Sequence, residues 1–187
     1  MYLLLRAYVW LSRFSRLGGN GVQSPFVYNF VCEVIYNTSA YYAYGDMAPE
    51  LKSLTAKQRK LAKLLFRLVN RVQPAMVWLG EGAECFAPFV RRGCRRAKIA
   101  MADTPLPGAE QGCPVLLVAN DLREVPLDTL PEGSAVMLLG IRSSQAARQD
   151  CRTLMAHPRA TLTFDLYHTL LTLVCPDRYK QHFKINF

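Results

Sequence analysis

The stretch Ala75-Met-Val-Trp-Leu-Gly-Glu-Gly-Ala-Glu84 constrains the fold of this chain more than any other. An apolar run, Ala75–Leu79, ends in a turn carrying Gly80 and Gly82. A short helix-compatible segment follows, and a second apolar run, Lys98–Ala102, ends in Asp103. Strand, glycine turn, helix, strand and carboxylate in that order open a nucleotide-type βαβ unit. In such a unit the turn Gly80-Glu81-Gly82 meets the ligand. Asp103 then either holds a ribose or caps the loop behind it.

The chain beyond this unit reads as more of the same sheet. Val115–Ala119 and Ala135–Leu139 are near-continuous apolar runs, the pattern of parallel strands covered on both faces. Asn120 and Asp121 follow the third strand, where they can approach an adenine or a substrate. Ala160–Leu166 and Thr169–Cys175 are joined tightly around Tyr167-His168, which predicts an antiparallel hairpin at one end of the sheet. Glu84–Arg92 is expected to be a short helix with Pro88 in its first turn. Ser143–Ala156 is a longer one, capped by Ser143 or Ser144. The Pro- and Gly-rich loop Thr104–Pro114 leaves no room for a full helix.

The segment before the sheet is helical. Met1–Leu17 reads as a helix with a broad apolar face, and Gly18-Gly-Asn-Gly21 breaks it. Ser24-Pro25 opens a second helix, with serine as cap and proline in the first turn. An aromatic loop carrying Tyr41, Tyr42 and Tyr44 follows. From about Pro49 to Val72 the spacing predicts one long basic amphipathic helix. Its buried side is Leu54, Leu61, Leu64, Leu65, Leu68 and Val69; its wet side is Lys57, Arg59, Lys60, Lys63 and Arg67. The chain thus divides into a helical segment, 1–73, packed on a sheet domain, 74–187.

Composition sets limits on function. With 51% hydrophobic and 20% charged residues, the chain can bury a core. The net charge of +9 is concentrated before the sheet, where it serves as a solvated basic face or draws an acidic partner; nucleic acid is the less favoured partner. Six cysteines without a CxxC pair offer no metal spacing and read as reduced thiols of a cytoplasmic protein. Met1–Leu17 falls short of the roughly 20 apolar residues of a membrane span, and arginines interrupt it. Its apolar face is left to dock on the protein, on a second copy as a homodimer, or on a membrane surface. No GxxxxGK[ST] loop and no local nucleophile signature occurs, so the sequence assigns no catalytic residue and disfavours hydrolase and NTPase chemistry. Arg91-Arg-Gly-Cys-Arg-Arg96 is a compact basic cluster that reads as a solvated helix end or as a phosphate contact.

Three stretches outside the βαβ unit carry a family resemblance. They are Gly21-Val-Gln-Ser-Pro-Phe-Val-Tyr-Asn-Phe-Val31, Phe66–Pro74, and His157-Pro-Arg-Ala-Thr-Leu-Thr-Phe-Asp-Leu-Tyr167 with the tail Lys180-Gln-His-Phe-Lys-Ile-Asn-Phe187. Together they resemble the class I S-adenosylmethionine-dependent methyltransferase-like proteins of Bacteroides-type bacteria, which carry an "HSPFVY" motif before a Rossmann-like sheet and end in a "DLFRxGIVFF…KQHF" hairpin and tail. The resemblance implies an α/β fold: a reduced Rossmann-like methyltransferase sheet, mostly parallel, with a C-terminal antiparallel hairpin and an N-terminal helical segment. It implies S-adenosylmethionine as cofactor, held by Gly80, Glu81, Gly82, Asp103, Asn120 and Asp121, and a methyl acceptor that the sequence does not identify.

The departures fall where the chemistry should be. Trp78 stands at the relatives' acidic position, Glu84 near the second glycine of the turn, for which Gly82 offers a shifted alternative, and Leu139-Gly140 at the paired acids that end a later strand. The expectation is therefore a degenerate methyltransferase-like protein with weak or lost cofactor binding. Its alternative is a noncatalytic interaction or dimerisation module with a basic face.

Overall fold

The computed structural model describes residues 24–37, 39, 43–104 and 112–187. The expectations for Met1–Leu17, the Gly18–Gly21 loop, Tyr41 and Tyr42 lie outside the described residues. Ser24 accepts from the Val27 amide and opens α1, Pro25–Phe30, with proline in the first turn. The helix then widens over Val31–Ile35 into a turn closed by the Tyr36 amide on the Val31 carbonyl, five residues back.

The long helix expected from Pro49 to Val72 is broken. After the short α2, Ala43–Asp46, α3 spans Ala48–Ser53 and α4 spans Ala56–Val72, with Leu54 extended between them. The cause is local: Thr55 and Gln58 form a reciprocal capping box that starts a new helix. The helix ends where Gln73 turns left-handed, φ 48°, ahead of Pro74. Arg67, expected on the wet side, is buried instead. Its guanidinium donates to the Val34 and Ile35 carbonyls and to the Tyr44 hydroxyl, so it caps the widened end of α1 from α4.

Seven strands form one sheet: β1 Met76–Leu79, β2 Lys98–Met101, β3 Val115–Ala119, β4 Ala135–Leu139, β5 Leu162–Asp165, β6 Thr169–Leu173 and β7 Gln181–Lys184. Their spatial order is β2-β1-β3-β4-β6-β5-β7. The pairs among β1–β4 are parallel, β6 is antiparallel to both its neighbours, and β7 runs parallel to β5. The fold is α/β and consistent with a Rossmann-like arrangement. The hairpin forms as expected but not at the end of the sheet. The tail adds β7 outside it, with its backbone tied to Thr161 and Asp165.

Two helices follow sheet strands directly: α5, Ala87–Gly93, entered through a tight turn Glu84–Phe86, and α6, Gln145–Ala156, capped by Ser144. One sheet face packs against α1, α4 and α5 in a single apolar cluster running from Val27 to Ile185. Phe164 is stacked between Phe30 of α1 and Phe183 of β7, with ring centroids 5.2 and 5.4 Å away. The other face meets α6 through Leu154 and the β3–β4 connection through Val125, Leu127 and Leu130. Among the described residues no helix is long and apolar enough to cross a membrane.

Candidate functional site

The parallel register sets the site. Leu79 is level with Met101 and Val118, and Ala119 with Leu138, so the turns after β1, β2, β3 and β4 emerge along one carboxyl edge. In open α/β sheets this edge is where ligands bind.

The glycine turn is closed by the chain itself. The Gly80 amide continues the ladder to the Val118 carbonyl at 2.8 Å, and the Ala83 amide donates back to the Gly80 carbonyl at 3.0 Å. Gly82 sits at φ 77°, which favours glycine. Its amide, the donor that would meet an anionic ligand, donates to Glu84 Oε1 at 3.0 Å. A Cβ at Gly80 would lie 2.8 Å from Glu124 Oε2 and 2.9 Å from the Trp78 ring. Trp78 is 4% exposed, and its indole N–H donates to the Thr104 carbonyl at 3.2 Å. The indole thus ties β1 to the segment after β2, beside the turn. Glu124 Oε2 is buried and has no hydrogen-bond partner among the described residues.

The sequence-chosen residues are partly brought together. Glu81, Gly82, Asn120 and Asp121 line one open cleft of about 760 Å³ with Arg123 and Glu124. Asn120 donates through its side-chain amide to the Glu81 carbonyl. Asp121 caps the tight turn Leu122–Glu124 by accepting from the Arg123 amide at 2.8 Å. It also pairs with the Arg123 guanidinium, whose hydrogen bonds hold the Asp121 carboxyl below its usual range. Gly80 lies beneath, against Trp78, and does not line the cleft. Asp103 is exposed, off the cleft lining, and accepts from the Thr104 hydroxyl at 3.3 Å. Sequence reasoning missed Glu124 and Arg123. The only signal available was the Asx-type turn begun by Asp121.

At the far side of the same edge, Arg142 follows the left-handed Gly140, φ 65°. Its guanidinium grips Asp165 at the end of β5 in a two-pronged pair of 3.0 and 2.7 Å. It also donates to the Tyr167 carbonyl, and its plane lies 4.8 Å from the Tyr167 ring. The Tyr167 amide donates to Asp165 at 2.8 Å, which holds tyrosine at φ 72°. Thus Leu139-Gly140 stand where the relatives carry paired acids, and two residues on the chain places an arginine that locks the hairpin.

The histidines are engaged elsewhere: His157 reaches Asp128 at 3.3 Å, and His182 meets the Thr163 hydroxyl at 2.8 Å. In the basic cluster Arg92 pairs with Glu50 at 2.8 Å, while Arg91, Arg95 and Arg96 are exposed. Among the described residues no group of three His, Cys, Asp or Glu is placed to hold a metal ion. Comparison with models of known protein families and with curated proteins finds no match for this chain.

Proposed function

We propose that this protein is a methyltransferase-like protein whose glycine turn is filled by its own side chains, with S-adenosylmethionine binding weak or lost. The observation carrying this reading is the Glu84 carboxylate on the Gly82 amide, with Trp78 and Glu124 pressed against Gly80. A carboxylate-bearing cofactor would have to displace Glu84 to reach that amide. Its sulfonium-bearing chain would compete with the indole and Glu124 for the space over Gly80. The turn does not fit the cofactor in this arrangement, and no reaction step is assigned to it. Support for the descent comes from the strand, glycine turn, strand and carboxylate order and from the antiparallel β6 set between β4 and β5.

The test is thermal unfolding of the full chain with S-adenosylmethionine. A ligand at about 100 times its Kd stabilises the native state by about 2.7 kcal/mol, so real binding is easily seen. The expected result is no shift of the melting temperature at about 1 mM ligand for the natural chain, and a clear rise for Glu84→Gly, which frees the Gly82 amide. A clear rise for the natural chain overturns the loss of binding. Failure of Glu84→Gly to gain any rise removes the cofactor-site reading of the turn.

A further inference from the structure

A second cleft, of about 500 Å³, lies on the opposite layer, between the widened end of α1, α4 and the C-terminal tail. Lys60, Lys63 and Arg67 line it, and among the described residues no aspartate or glutamate does. Its apolar walls include Ile35, Tyr36 and Phe187. Tyr36 is fixed there by its hydroxyl, which donates to the Asn186 carbonyl at 2.6 Å.

Arg67 is the informative residue. It is only 7% exposed. Each guanidinium nitrogen makes one hydrogen bond, to a carbonyl or a tyrosine hydroxyl, at 2.6, 3.0 and 3.1 Å. Guanidinium has five N–H donors, so two remain without a partner among the described residues. No carboxylate neutralises its charge among the described residues either. Carbonyl oxygens satisfy its geometry but not its net charge, and an uncompensated buried cation is costly. Lys63 adds a second cation, its ammonium 5.0 Å from the Tyr44 ring centroid, and Lys60 a third, 4.6 Å from that of Phe187.

We propose that this cleft binds a small organic anion, with an oxyanion head facing Arg67 and Lys63 and an apolar body against Ile35, Tyr36 and Phe187. The volume lies within the usual range for small-molecule sites, and a planar guanidinium with spare donors suits carboxylate and phosphate alike. The site shares no lining residue with the glycine-turn cleft.

Isothermal titration of the full chain with hexyl phosphate, hexanoate and inorganic phosphate tests this. Hexyl phosphate is expected to saturate at one per chain and to bind at least about tenfold tighter than inorganic phosphate, since the apolar body adds burial. Hexanoate separates a general oxyanion site, where it also binds, from one selective for phosphate; either result keeps the proposal. Lys63→Glu should weaken hexyl phosphate by at least about tenfold. Lys63→Gln, which adds no opposite charge, should weaken it less and guards against a folding defect. Absence of saturable binding, equal affinity for inorganic phosphate, or an isotherm unchanged by both variants overturns the proposal.

Discussion

The two halves of the carboxyl edge use the same chemistry under different conditions. On the β1–β3 side, Asp121 pairs with Arg123 two residues away, and the arginine side chain is 90% exposed. On the β4–β5 side, Arg142 reaches across 23 residues to Asp165, whose side chain is 7% exposed. The first pair is local, solvated and surrounds an open cleft. The second is long-range, sheltered and fixes which strand lies beside which. Exposed ion pairs contribute little because water screens them and ordering two long side chains costs entropy. A sheltered carboxylate left without its cation, by contrast, is strongly destabilising. One half of the edge can therefore change without threatening the fold, and the other cannot.

The largest test of this contrast is Arg142→Met. It strips Asp165 of its cation and Tyr167 of a carbonyl partner, and the chain should lose about 2–3 kcal/mol in urea unfolding, discounted for the partial exposure of Arg142. A loss below about 0.5 kcal/mol would put this pair in the same class as the exposed one and erase the distinction.

An intermediate effect sharpens the same region. Burial, with the Asp165 charge adding to it, pushes the Cys151 thiol up to about 11 from an ordinary value of 9.0. The native state therefore holds this proton more tightly than the unfolded chain. The resulting stability is fully present below pH 9 and is lost as pH rises toward 11. Urea midpoints measured across that window should fall less steeply for Cys151→Ala than for the natural chain. Identical slopes would mean that Cys151 is as wet as a surface thiol.

The smallest effect is expected for Arg123→Ala, which should leave the urea midpoint where it was. A marked fall would show that the Asp121 turn, and with it Glu124 over Gly80, depends on this exposed arginine.

Much of this fold is legible in the sequence because its strands are short apolar runs broken by Gly and Pro. Ser24 reads correctly as a cap from its neighbours alone, and of the two serines offered for α6 the structure uses Ser144. The split between α3 and α4 was also written in the chain, as Thr55 three residues before Gln58, but the surrounding basic periodicity hid it. Other features were not local at all. Arg67 looks like its lysine neighbours and differs only because the open carbonyls of Val34 and Ile35 arrive from another helix. In β7, Gln181, His182 and Lys184 are exposed, so an edge strand reads as a polar tail. The glycine turn shows the same limit. Its motif is plain, but the approach of Glu124 from 44 positions later follows from the path of the β3–β4 connection.

The aromatic stack across the sheet also bears on the order of events during synthesis. Phe30 rests on Phe164, which rests on Phe183, and Tyr36 bonds to Asn186 across 150 residues. Contacts so distant along the chain form slowly, because a long loop must close before they contribute anything. The helix at Pro25–Phe30 leaves the ribosome long before its seat exists. Helix α4 can cover part of its apolar side early, but the stack itself waits for the hairpin and β7.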